Sequence, residues 1–223
     1  MPPLPPPLPP ETRTVGQLVA EAIQLYGRRV RVALPLGLGP AALVLLDTTF
    51  DERIAPYLLL AVGPLLLAAS YAGAAAIAIG GRRREVALGF VAAVPAVLPF
   101  VISRGWPFAG SYLLAVAWFA VFGLAVPAIF AERCGLLESF ARSARLAAAD
   151  IVHAVGSLAT LVIVIVLSLF ALLFLLANFG DQALPIAAFL ALVVVSPLFF
   201  LGASLLYYDQ EARERKKAAA PTR

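Results

Sequence analysis

Hydrophobic residues run almost without interruption through six stretches of the chain, at about residues 30–46, 57–80, 86–103, 108–131, 151–177 and 185–208, and nearly every charged residue falls in the joints between them. The runs last 17 to 27 residues, and a helix rising 1.5 Å per residue needs about 20 to cross the hydrocarbon core of a bilayer. Within them polar residues neither alternate as in a half-buried strand nor form one face of a surface helix. The expected fold class is therefore all-α, a polytopic transmembrane helical bundle of about six spans.

Two stretches outside the runs have a helical period instead. In the first, Val15, Leu18, Val19, Ala22, Ile23 and Tyr26 share one face and Gln17, Glu21, Gln24 and Arg28 the other, behind a Thr14 and Gln17 at capping-box spacing. In the second, from Leu136 to Ala149, Leu136, Leu137, Phe140, Ala144 and Ala147 oppose Glu138, Arg142 and Arg145. Each immediately precedes a span, the position of an amphipathic helix lying in the headgroup plane. At a constant offset of 121 residues, Gln17 falls over Glu138, Glu21 over Arg142 and Gln24 over Arg145. That offset hints at an internal repeat, although amphipathic lead-ins are common before spans.

Proline complicates several runs. The first holds Pro35, Gly37, Gly39 and Pro40, the third Pro95 and Pro99, and Pro64, Pro127 and Pro197 lie inside others. Each proline lacks an N–H and frees the carbonyl four residues earlier, so a neighbour must supply a donor. The third and fourth runs could alternatively form a re-entrant hairpin, which would preserve the parity of the crossings. In the second run, Ala69, Ala72, Gly73, Ala76 and Gly80 make a row of small residues suited to close helix packing.

Composition agrees with the pattern. Hydrophobic residues are 62% of the 223 and charged residues 13%, against about 45–50% and 25% in soluble domains. Mean hydropathy is +0.94. The net charge of +4 reports orientation once the basic residues are placed. Four lie at Arg13, Arg28, Arg29 and Arg31, three at Arg82, Arg83 and Arg84, three at Arg133, Arg142 and Arg145, and five in the tail, so 15 of the 17 share one side and only Arg53 and Arg104 oppose them. The positive-inside rule makes that side cytoplasmic, with both termini inside. The expected location is the plasma membrane of a prokaryote, and nucleic acid is not needed to explain the charge.

Residues 1–12, with seven prolines in the first ten, read as a disordered tail, 13–208 as the six-span membrane domain and 209–223 as a basic, solvated cytoplasmic tail. In that tail Asp209 and Arg213, and Glu211 and Arg215, stand four apart as helical ion pairs would. No cleavable signal peptide is visible. Tyr57 and Trp106 on the outer side, and Tyr207 and Tyr208 on the inner, fit an interfacial belt.

Chemistry is mostly excluded. A single cysteine, Cys134, and a single histidine, His153, cannot build the ligand clusters of zinc, haem or iron–sulfur sites, so no metal or cofactor is expected. The cores of the runs lack Asp, Glu, Lys and Arg, which leaves a proton pump or a charged-ring channel without a relay. Asp150, His153 and Ser157 place the residue types of a nucleophilic triad on one helical face. One straight helix rarely supplies productive triad geometry, and the preferred reading makes Asp150 a cap and Ser157 a back-bonded hydroxyl. Cys134 beside Arg133 would be a reactive thiol only with a lowered pKa.

Three segments are familiar: VGQLVAEAIQLYGRR before the first span, VPAIFAERCGLLESFARSARLAAAD between the fourth and fifth, and LLYYDQEARERKK after the last. Together they resemble the prokaryotic six-span family labelled as the membrane domain of glycerophosphoryl diester phosphodiesterase. The resemblance implies a helical membrane module with two cytoplasmic surface helices, serving lipid or envelope processes. In members with phosphodiesterase activity the catalytic residues belong to an appended barrel domain, for which this chain has no room, so no catalytic residue carries over. The expected function is non-enzymatic, a module binding membrane lipids with anionic headgroups or a partner protein, with headgroup contacts from Arg82, Arg83, Arg84, Arg142 and Arg145. A membrane subunit of a transporter, its surface helices meeting a cytoplasmic ATPase, is the alternative. An intramembrane hydrolase built on Ser157 and His153 is the third reading.

Overall fold

The structure, a computed structural model, describes residues 10–103, 109–176 and 183–219, and among them it is helical with no strand. A 3-10 turn, Pro10–Thr12, precedes α1 (Val15–Arg28). The first span is broken into α2 (Val30–Ala33), a 3-10 segment (Leu34–Gly37) and α3 (Leu38–Thr49). Helices α4 (Ala55–Ile79) and α5 (Arg83–Ile102) form a hairpin, and the fourth span is divided into α6 (Ala109–Phe122) and α7 (Ala125–Glu132). Then α8 (Leu136–Ala149) leads into α9 (Ile151–Leu176), and α10 (Ala183–Ala219) returns.

Six units are long and apolar enough to cross a membrane: Val30–Thr49, Ala55–Ile79, Arg83–Ile102, Gly110–Glu132, Ile151–Leu175 and Pro185–Ala219. The chain is a multi-pass helical membrane protein. The third and fourth units, at 20 and 23 residues, are of spanning length, unlike the short limbs of a re-entrant hairpin.

Side chains reach the carbonyls freed at two of the prolines. Pro127 has no N–H to offer the Gly123 carbonyl, and the buried Tyr71 hydroxyl of α4 donates to it at 2.9 Å. Two residues earlier, the Val121 carbonyl accepts from Ser143 Oγ of α8. In α5, Pro99 frees the carbonyl of Pro95, and Trp118 Nε1 donates to it at 2.9 Å. The Gly123 carbonyl also accepts the Val126 backbone N–H at 3.2 Å, so loss of the tyrosine hydroxyl removes one of its two donors, at a cost of about 0.5–1.5 kcal/mol. Tyr71→Phe should therefore lower the thermal unfolding midpoint in detergent by that amount of stability. An unchanged midpoint would mean that the Val126 N–H alone satisfies the Gly123 carbonyl.

Around Tyr71 the rings of Phe119 and Phe200 lie at centroid distances of 5.1 and 5.9 Å, and Phe100 and Phe199 extend the cluster. Ala68, Ala72 and Ala75 of α4 and Ala92, Ala93 and Ala96 of α5 are buried, so small residues do let the hairpin close. Ala69 is exposed, however. The packed face is rotated from the expected row, a choice that fourfold spacing cannot make in so alanine-rich a helix.

The two amphipathic lead-in helices match in length and in how they join the next helix. Helices α1 and α8 are each 14 residues long, begin at residues 15 and 136, and are each joined to the next helix through one residue, Arg29 or Asp150. Their inward positions correspond at the same offset, Leu18 and Ala22 in α1 with Ser139 and Ser143 in α8. The face of α8 that points inward differs from expectation. Ser139, Ser143, Leu146 and Ala147 are buried, while Leu137 is 85% exposed. Serine can enter the packing against α6 and α7 because both hydroxyls are spent on carbonyls, that of Ser139 on Leu136 at 2.7 Å.

Candidate functional site

The polar end of the bundle gathers the residues with chemical potential, and α10 organises it. Beyond its apolar stretch this helix continues to Ala219 and packs against α1, α8 and α9. The residues after 208 are not simply solvated: Asp209 and Gln210 are fully buried. Arg13 Nη1 donates to Asp209 Oδ1 at 2.6 Å and Arg13 Nη2 lies 3.2 Å from Glu21. Arg213 donates to Asp150 at 2.9 Å and to the Arg13 carbonyl at 3.2 Å, and Gln210 donates to the Asp150 carbonyl at 3.3 Å. These contacts clamp the first described helix, the start of α9 and the end of α10 into one polar knot. Of the two i,i+4 pairs expected in the tail, Glu211 with Arg215 forms at 2.5 Å on the surface. Asp209 instead takes Arg13, 196 residues away, and Arg213 takes Asp150.

A second knot holds Arg142. Its guanidinium, 14% exposed, donates to Glu132 at 2.6 Å and to Glu214, and the Tyr207 hydroxyl donates to the same Glu132 oxygen at 2.6 Å. Burial works against its charge, but the two carboxylates outweigh burial and hold its pKa above the ordinary arginine value. Arg142 is thus an internal cross-link between α7, α8 and α10, unlike the headgroup contact expected of it. Arg82, Arg83, Arg84 and Arg145 are exposed, and none is held in an ion pair among the described residues. Arg29, at the junction of α1 with the first span, donates to the Ile77 carbonyl at 2.8 Å and fixes that junction beside the end of α4.

The three residue types of a triad do meet, but not as a relay. Asp150 Oδ1 accepts the His153 backbone N–H at 3.0 Å, which makes it the cap of α9. The His153 ring presents one nitrogen, Nε2, to both Ser157 Oγ at 3.5 Å and Asp209 Oδ2 at 3.7 Å. A proton relay needs the acid on one ring nitrogen and the nucleophile on the other. Ser157 is also fully buried. Cys134 is buried, and burial, reinforced by the charges of Glu132 and Glu138, pushes its thiol pKa up. That is the opposite of activation. Among the described residues no group of His, Cys, Asp and Glu could hold a metal ion. Tyr57 is 76% exposed, while Arg104 and Trp106 lie outside the described residues.

No family model, curated protein or solved structure matches the chain. Functional argument therefore rests on the geometry of this end of the bundle.

Proposed function

We propose that the chain is a non-enzymatic lipid-binding module of a prokaryotic plasma membrane, with its arginine-rich end in the cytoplasmic headgroup layer. The carrying observation is the contrast among the arginines. Arg13, Arg142 and Arg213 are spent on internal carboxylates, whereas Arg82, Arg83, Arg84 and Arg145 stand exposed at the same end with no ion pair among the described residues. Exposed guanidinium groups beside the ends of apolar spans contribute about 1 kcal/mol each toward anionic headgroups. The alternative of a transport subunit draws on broken spans and a repeat, but transporters leave unwound carbonyls free for ions or substrate. Here the Gly123, Val121 and Pro95 carbonyls are already occupied by Tyr71, Ser143 and Trp118, which supports the module reading.

Reversing three surface charges tests it. The triple variant Arg83→Glu, Arg84→Glu, Arg145→Glu should lose roughly 3 kcal/mol of preference for anionic over zwitterionic lipid. Titration of phosphatidylglycerol against phosphatidylcholine, followed by native mass spectrometry of the detergent-solubilised protein, measures that preference. Equal retention of the two lipids by wild type and variant would refute the proposal.

A further inference from the structure

Beside the two ionic knots lies a half-open cleft of about 600 Å³, between the α4–α5 turn, the end of α7 and α10. Its lining includes Arg82, Arg133, Glu85, Phe130, Tyr207 and Tyr208. We propose that this cleft binds the phosphate of one phospholipid headgroup through Arg82 and Arg133, an inference that rests on the lipid-binding reading and gives it a defined site.

The carboxylates that line the cleft already have partners. Glu85 accepts the Arg82 backbone N–H at 2.7 Å, Glu132 is held by Arg142 and Tyr207, and Glu211 by Arg215. Arg82 and Arg133 form no ion pair among the described residues, and they line the cleft from different elements. Glu85 feels the charge of both arginines, but its hydrogen bond is to backbone, so two guanidinium groups lining one concavity still suit a phosphate, whose oxygens accept paired N–H donors.

Arg133 adds an independent observation. It ends α7 in the left-handed conformation, φ 55° and ψ 32°, and is the one non-glycine residue with positive φ among those described. Glycine is the usual residue at such a position, because a side chain there is strained. An arginine at a position that suits glycine better carries strain that only its side chain could offset, and this arginine lines the cleft.

One wall suits a lipid better than a free anion. Phe130 is pressed against the backbone at Gly81 and Gly89, where an added Cβ would stand 2.4 and 2.6 Å from its ring. With Ile79 it forms an apolar side to the cleft at the level where α4 and α7 end. A headgroup phosphate can sit at the arginines while its acyl chains pass along that side.

The test uses the full chain in detergent, native mass spectrometry, and four probes: phosphatidylglycerol, phosphatidylethanolamine, diacylglycerol with the same acyl chains, and inorganic phosphate. Wild type should retain one saturable molecule of either phospholipid and none of the diacylglycerol. Arg133→Gly should weaken that retention at least tenfold while its thermal midpoint stays at or above that of wild type, since glycine relieves the backbone. Arg133→Asn, also tolerated in the left-handed region, and Arg82→Gln should weaken binding similarly. Undiminished binding in Arg133→Gly, or equal retention of diacylglycerol, would overturn the proposal. Competition by inorganic phosphate at concentrations equal to the phospholipid would overturn the lipid as source. The surface variant at Arg83, Arg84 and Arg145 should keep the single saturable molecule. Its loss of general anionic preference with that molecule intact, or the reverse, separates the two readings.

Discussion

Asp209→Ala should destabilise the folded protein by about 3–5 kcal/mol, the cost of removing one member of a buried ion pair and stranding the other. Arg13, 11% exposed, would keep only Glu21 as a counter-charge, and the His153 ring would face an empty position. The exposed pair on the same helix provides the internal contrast. Arg215 is 77% exposed, and Arg215→Ala should cost about 1 kcal/mol or less. Thermal or denaturant unfolding in a mild detergent measures both. Because burying charges is itself expensive, the double replacement Arg13→Met with Asp209→Leu should recover most of the stability lost in either single variant. If Asp209→Ala unfolds no earlier than Arg215→Ala, the buried knot is not what joins the segment leading into α1 to α10.

That knot also marks where sequence reasoning loses sight of the fold. Long apolar runs are legible because a bilayer sets their length, and their bounds emerge within a few residues of those of the helices except at the last, where α10 continues from the run's end at 208 to Ala219. The pairing of Glu211 with Arg215 is legible because it is local and exposed. Asp209 stands at the same spacing from Arg213, yet both choose distant partners, since packing α1 and α9 against α10 brings Arg13 and Asp150 to them. Arg142 likewise reads from its neighbourhood in the sequence as a headgroup contact. Its charge and periodicity are visible in the sequence, but the two carboxylates that claim it, Glu132 and Glu214, come from other helices. Proline positions gave a partial signal. Each announces a freed carbonyl, but that Tyr71 and Trp118 would supply the missing donors depends on helix neighbours and rotation. The cleft beside Arg133 had no sequence signal beyond an arginine and a cysteine ahead of Gly135, where a helix had to end.

Gly37→Ala should be the most damaging small substitution within the membrane, by about 3 kcal/mol, the upper end of the usual cost of overpacking. Pro197 deprives the Val193 carbonyl of its helical N–H donor, and the 3-10 segment of the first span comes down on that part of α10. A Cβ at residue 37 would stand 2.1 Å from the Val193 oxygen and 2.6 Å from its carbonyl carbon and Cα. The obstruction is backbone, so no rotamer change relieves it and one helix must move. Conformation is not the issue, because the φ of −73° suits any residue. Gly39 repeats the arrangement against α4, where a Cβ would meet Ser70 Oγ at 2.4 Å and the Leu66 carbonyl oxygen at 2.6 Å. These glycines let the proline-broken first span approach α4 and α10 closely, which is how a short, irregular span is held in place. Gly16→Ala is the control: nothing lies within 4 Å of its added carbon, and alanine in α1 should stabilise by up to about 1 kcal/mol. Unfolding midpoints of the two alanine variants in the same detergent should move in opposite directions. If they do not, the close approach of the first span to Val193 is not present in the folded protein.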